Sequence, residues 1–197
     1  MSEETLYRRL RAFRDTFREG FGSESEEVRW PEISQGQILM MMSSKARHQR
    51  VAHRLRTALE PQLAAGLALY VETDLEDPGL GILRVPDLAV VNADFEPTAA
   101  DAMPPHDCHC IIEVVSRSNP ANDYEGKLRD YPAMGIPHYL IVDPRDGTAV
   151  HYWAPTTRTG APTYDNQQHY TFGDTVTVGD WKIDTSGLPR YDDEAPQ

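Results

Sequence analysis

Between residues 44 and 143 the chain reads as helix, strand, strand, strand, helix, strand. Elements interleaved so closely cannot separate into a helical bundle and a β-sandwich, so the pattern predicts one mixed α/β core. The first helix, residues 44–63, carries the apolar stripe Val51, Leu55, Ala58, Leu59 and Leu63, and Ser43 or Ser44 can cap its start. Strand-like runs follow near residues 68–74, 82–91 and 109–116, separated by the turn Asp77-Pro78-Gly79 and a loop over residues 92–105. Asn119-Pro120 opens a second helix, 121–134, which Gly135 and Pro137 close. The dense apolar strand 138–142 then ends at Asp143-Pro144.

Shorter pieces flank this core. Residues 3–19 form a helical pattern with Leu6, Leu10, Phe13 and Phe17 on one side, and residues 20–27 are a polar break. Trp30-Pro31-Glu32-Ile33, the turn 34–37 and the run 38–42 read as a hairpin. After Asp143, the turn Arg145-Asp146-Gly147 leads into a strand at 149–153, and β-like pieces recur at 168–172, 175–178 and 181–183. A length of 197 residues suits one core domain. The division predicted is an N-terminal helix and linker (1–29), a single α/β domain (30–190) and a mobile tail (191–197).

Charge narrows the function classes. With 19 Lys+Arg against 31 Asp+Glu, the net charge of −12 argues against a coat protein that covers nucleic acid stoichiometrically. The charge is uneven: residues 1–60 are net +2 and residues 61–197 net −14. A phosphate-contacting surface is therefore expected on the first third. The helix 44–63 is the candidate, through Lys45, Arg47, His48, Arg50 and Arg54, with His53 and Arg56 beside them; a solvated face balancing the acidic body is an equal alternative. His48 by itself reads as a surface histidine or one at a site's edge. No apolar run approaches the roughly 18–20 residues of a membrane span, the N-terminus lacks the apolar centre of a secretory signal, and only two cysteines occur. A cytoplasmic location is the expectation.

Two strands carry carboxylates that packing does not explain. Asp87 interrupts Leu83-Arg84-Val85-Pro86-Asp87-Leu88-Ala89-Val90-Val91, and Glu113 interrupts Cys110-Ile111-Ile112-Glu113-Val114-Val115. A buried lone carboxylate is costly unless it is paired or metal-bound. Brought to the same end of adjacent strands, the two would suit Mg²⁺ or Mn²⁺; facing solvent singly, they would do nothing. Asp123, Lys127 and Tyr131 recur at i, i+4 and i+8, so they share one helix face. An exposed Asp–Lys pair is the plainer reading of that spacing. Their helix follows the Glu113 strand directly, however, which would let Lys127 reach a metal site and help deprotonate an attacking water. His106-Asp107-Cys108-His109-Cys110 raises zinc as a competitor, but residues 108 and 110 enter a strand on one side with no second cluster downstream.

In that order Pro86-Asp87, Glu113-Val114-Val115, Asp123-Tyr124 with Lys127 and Tyr131, and Gly135-Ile136-Pro137 with Tyr139-Leu140-Ile141-Val142-Asp143-Pro144 form a set that resembles the Uma-two family, a branch of the PD-(D/E)XK nuclease superfamily. The likeness runs from about Trp30 to the C-terminus and includes Gln35-Gly36-Gln37-Ile38 and Asp184-Thr185-Ser186. It implies a restriction endonuclease-like fold and an endonuclease that hydrolyses nucleic-acid phosphodiesters, most naturally DNA, with Mg²⁺ or Mn²⁺. Residue by residue, it implies Asp87 and Glu113 as metal ligands, the Val114 carbonyl as a third, and Glu32 as an outer ligand. The superfamily's usual lysine would stand at Val115; the family takes it from the following helix, where Lys127 lies. One site per chain implies a homodimer for cutting both strands. The runner-up, favoured by the net charge of −12 and by Val115, is a weak or inactive nucleic-acid-binding or protein-interaction module on the same fold.

Overall fold

The computed structural model describes residues 2–21, 28–42, 46–96, 101–158 and 160–193. Helix α1 spans Glu3–Phe21, α2 Ala46–Leu59 and α3 Leu128–Ala133, and a π-helical turn, Asn122–Lys127, leads into α3. The strands are β1 (Val28–Ser34), β2 (Gln37–Met42), β3 (Leu67–Val71), β4 (Leu75–Asp77), β5 (Ile82–Arg84), β6 (Leu88–Asn92), β7 (Cys108–Val114), β8 (His138–Asp143), β9 (Thr148–Thr156), β10 (Thr163–Thr171), β11 (Thr175–Val178) and β12 (Trp181–Asp184). Six of them form one sheet in the order β10-β9-β8-β7-β6-β3, a second sheet runs β2-β1-β5-β4, and β11 pairs with β12. Only β7 and β8 run parallel within the six, because the π turn and α3 carry the chain back between them.

The six-stranded sheet is apolar on both faces, as a sheet covered on both sides must be. On one face Val51, Leu55 and Leu59 of α2 pack on Leu88, Val90, Cys110, Ile112, Val114 and Leu140, with Val176, Val178 and Ile183 of β11 and β12 closing the layer. On the other face Tyr131 of α3 and Met134 just after it cover Ala89, Val91, Cys108, Ile111, Tyr139 and Ile141. Helix α1 belongs to the same body: Arg14 is fully buried, its guanidinium 2.7 and 2.8 Å from the two carboxylate oxygens of Asp74.

Several expectations need correction. The run 82–91 is not one strand. It breaks at Val85-Pro86-Asp87, because Pro86 has no N–H for a ladder, and its halves join different sheets as β5 and β6. The helix expected over 121–134 is a π turn followed by six α residues. Gly126 lies in that turn, where a Cβ would stand 3.2 Å from Arg84 Nη2 and 3.1 Å from Asn122 Oδ1, so glycine lets the guanidinium pass. Cys108 and Cys110 do not share a side. A bulge opposite Val90 and Val91 turns them to opposite faces of the sheet, and both are buried. Nor does a mobile tail start at Tyr191, which is buried and donates its hydroxyl to the Val115 carbonyl at 2.7 Å. Ser43, Ser44 and Lys45 and residues 194–197 lie outside the described residues. Among the described residues no helix is long and apolar enough to cross a membrane.

One packing detail predicts a pH effect. His151 is buried against Trp153, and its Nε2 lies 3.0 Å from His138 Nδ1. Burial first, then the neighbouring His138, hold its pKa at about 4 rather than 6.5. Between those values the unfolded chain takes up a proton that the folded chain refuses, so stability falls as pH drops from 6.5 towards 4. The loss should be on the order of 1–2 kcal/mol after solvent screening. Urea unfolding across that range checks it, with His151→Gln expected to flatten the slope.

Candidate active site

The antiparallel pairing of β6 with β7 places Leu88 opposite Ile112, so the residue before β6 meets the end of β7. Asp87 and Glu113 thereby converge at one end of the sheet, both almost wholly buried. Each binds the other's strand: Asp87 Oδ2 accepts the Val114 N–H at 2.7 Å, and Glu113 Oε2 accepts the Asp87 N–H at 3.3 Å. Glu113 points to the α3 side, where Tyr131 donates its hydroxyl to Oε1 at 2.5 Å and Lys127 Nζ stands 2.8 Å from the same oxygen. Oε1 is thus held, while Oε2 is turned towards Asp87. Lys127 Nζ also lies 3.3 Å from Asp123 Oδ1 and 3.8 Å from Glu32 Oε1.

From the opposite face of the sheet His48, near the start of α2, brings Nε2 to 3.0 Å from Asp87 Oδ2 and 2.8 Å from the Val114 carbonyl oxygen. The site therefore sits at the sheet's end, between two layers, with a helix from each side reaching in. Behind it lies Arg84, fully buried. Its Nη1 donates to Glu32 Oε2 at 2.7 Å and to Asn122 Oδ1 at 3.1 Å, while Nη2 and Nε donate to Asp130 Oδ2 at 2.6 and 2.9 Å. Glu32 Oε1 accepts the Val85 N–H at 3.0 Å, and Ser34 Oγ donates to Asp130 Oδ2 at 2.6 Å. This network ties the β1–β5 sheet to the helix that carries Lys127.

Among the described residues the site gathers several buried charges. Four buried carboxylates, those of Glu32, Asp87, Glu113 and Asp123, face the Lys127 ammonium and the Arg84 guanidinium, while Asp130 is also paired with Arg129. Burial pushes the Glu113 carboxyl up to about 8; Lys127 opposes that rise, and the nearby Asp87 and Asp123 add to it. Burial likewise raises Asp123 to about 6 against the pull of Lys127. Burial disfavours the charged form of Lys127, yet Glu113, Glu32 and Asp123 outweigh it and hold the ammonium firmly protonated. Glu32 goes the other way: burial would raise its carboxyl, but Lys127 and Arg84 keep it below the usual range. Carboxylate and carbonyl oxygens gathered this closely are the hard donors that a divalent cation takes.

Among the described residues no three His, Cys, Asp or Glu side chains close on a single point. The donor atoms that do gather are those of two side chains, Asp87 and His48, with the Val114 carbonyl, and Glu113 lies beside them on Lys127. The His106–Cys110 segment forms no such group, since its two cysteines lie in separate halves of the core.

A sequence model of the Uma2 family, described as "Putative restriction endonuclease", matches residues 18–181. The chain belongs to the Uma2 family. The Uma2 fold has a solved counterpart in a putative nuclease of the DUF820 group from Anabaena variabilis ATCC 29413, with a TM-score of 0.62, 14% sequence identity, and coverage of 89% of this chain and 96% of that one. At that identity the likeness speaks for the fold. A search among curated proteins found no match.

Of the residues singled out in this Uma2 sequence, Asp87, Glu113, the Val114 carbonyl and Lys127 come together. Glu32 reaches them only at the edge, with Arg84 and the Val85 N–H on its two oxygens. On α2, Arg47 and Arg50 are exposed and Arg54 is half-buried beside Gly187. His48 is a correction: it is buried inside the site and does not line a nucleic-acid surface. Its spacing to Val51, Leu55 and Leu59 on the apolar stripe was the available signal. The pairing of Arg84 with Asp130 and Glu32 had no local signal, because those partners lie 46 and 52 residues from it.

Proposed function

We propose that this Uma2-family protein is a divalent-metal-dependent endonuclease with a PD-(D/E)XK-type core, hydrolysing phosphodiester bonds of nucleic acid, in the first instance DNA. One observation carries the reading: two buried carboxylates brought together by adjacent strands meet beside a buried lysine. Asp87, Glu113 and the Val114 carbonyl would hold Mg²⁺ or Mn²⁺, which supplies a Lewis acid for the phosphoryl oxygens and the attacking water. Tyr131 fixes the Glu113 carboxylate in orientation through its hydroxyl. Lys127 carries the site's ammonium and can orient the attacking water and donate to a non-bridging phosphoryl oxygen. Asp123 and Glu32 hold that ammonium from behind. Arg47 and Arg50, exposed on the helix that enters the site, are the candidate phosphate contacts, and two copies of the chain would serve the two strands of a duplex.

The test is plasmid nicking with Mg²⁺ or Mn²⁺. Lys127→Ala should slow nicking by about 10²- to 10⁴-fold, the range of a lost general acid–base group, while leaving cation binding in place. A wild-type chain that binds the cation and nicks with neither metal overturns the hydrolytic reading. That result would leave the second one, a binding module on the same fold, which one feature favours: Val115, at the superfamily's lysine position, is fully buried in the core.

A further inference from the structure

The inner stripe of α2 runs His48, Val51, Leu55 and Leu59, all buried. Packing accounts for the last three. The first is a polar ring where an aliphatic side chain would fill the space at no desolvation cost. Its Nδ1 is buried with no hydrogen-bond partner, so among the described residues the ring meets other polar groups through Nε2. That atom lies 2.8 Å from the Val114 carbonyl oxygen and 3.0 Å from Asp87 Oδ2. Adjacent ligands of an octahedral cation with bonds of about 2.1 Å stand about 3.0 Å apart. His48 Nε2 is therefore spaced from each of these two oxygens as neighbouring corners of one coordination shell are.

We propose that His48 Nε2 is a ligand of the divalent cation and that it biases the site towards Mn²⁺ over Mg²⁺. This rests on the reading of Asp87 and Glu113 as the cation's carboxylates. Imidazole nitrogen suits first-row transition ions, whereas Mg²⁺ is served by carboxylate, carbonyl and water. A nitrogen in an otherwise all-oxygen set is thus a selectivity element. As a mere hydrogen-bond donor to Val114, the same ring would confer no preference between the two ions.

Electron spin-echo spectroscopy of Mn²⁺ bound to the full chain reads the first coordination shell without needing turnover. The wild type should show a ¹⁴N coupling that changes on ¹⁵N-histidine labelling, and His48→Gln should lose it. By calorimetry the wild type should prefer Mn²⁺ over Mg²⁺ by about tenfold or more, and His48→Gln should shrink that preference to near unity by weakening Mn²⁺ selectively. Tight Mn²⁺ binding with no histidine nitrogen coupling overturns the proposal and leaves the carboxylate site standing. A wild-type chain that binds no Mn²⁺ overturns both. The spectrum of the wild type needs no variant, so a folding defect in His48→Gln cannot rescue the idea.

Discussion

Asp87→Asn should lower metal-dependent nicking by about a thousandfold, because removing a charged ligand forfeits several kcal/mol of transition-state stabilisation at about 1.4 kcal/mol per tenfold. The substitution keeps the side chain's shape, and the amide oxygen can still accept the Val114 N–H that Asp87 Oδ2 accepts at 2.7 Å. Unfolding stability should therefore change little even as turnover collapses. Calorimetry with Mn²⁺ should show the same loss in binding, which separates a missing ligand from a disturbed active-site lysine. A variant that binds and nicks like the wild type would remove Asp87 from the site.

The second large effect lies in stability. Arg84 is fully buried and is the shared partner of Glu32 and Asp130. Arg84→Met fills much of the volume but takes the shared guanidinium from two buried carboxylates, and removing one partner of a buried ion pair typically costs about 3–5 kcal/mol. For a chain of this length, a loss of that size lowers the melting temperature by roughly 10 °C. Arg84→Lys should rescue little, since one ammonium cannot reproduce the fork that meets Glu32 and Asp130 at once. Adding Glu32→Gln to Arg84→Met should recover part of the loss. A melting temperature unchanged in Arg84→Met would contradict the account of this network.

Local pattern announced much of the architecture. The apolar density of residues 138–142 and 109–116 marked the sheet's centre, and the turn at residues 34–37 marked the first hairpin. The spacing of Val51, Leu55 and Leu59 marked the inner face of α2. Pattern failed where long-range geometry decides. The run 82–91 looks continuous, and only the sheet assignment shows that Pro86 passes the chain from one sheet to another. The bulge in β7, which separates Cys108 from Cys110, leaves no trace in residue type. In the site, Asp87, Glu113 and Lys127 were readable because a carboxylate in an apolar strand and a lysine on the next helix are locally odd. His48 was hidden among the basic residues of α2, and its place on the stripe of Val51, Leu55 and Leu59 was the one mark that set it apart. Arg84 and Asp130 look like ordinary surface charges until the fold folds both inward.

The central claim is that Asp87 and Glu113 share one divalent cation at the end of β6 and β7. Anomalous diffraction from a manganese-soaked crystal tests it most directly. The account predicts one strong peak within bonding distance of both carboxylates and the Val114 carbonyl. A map with no peak there, and Lys127 still seated on Glu113, would contradict it.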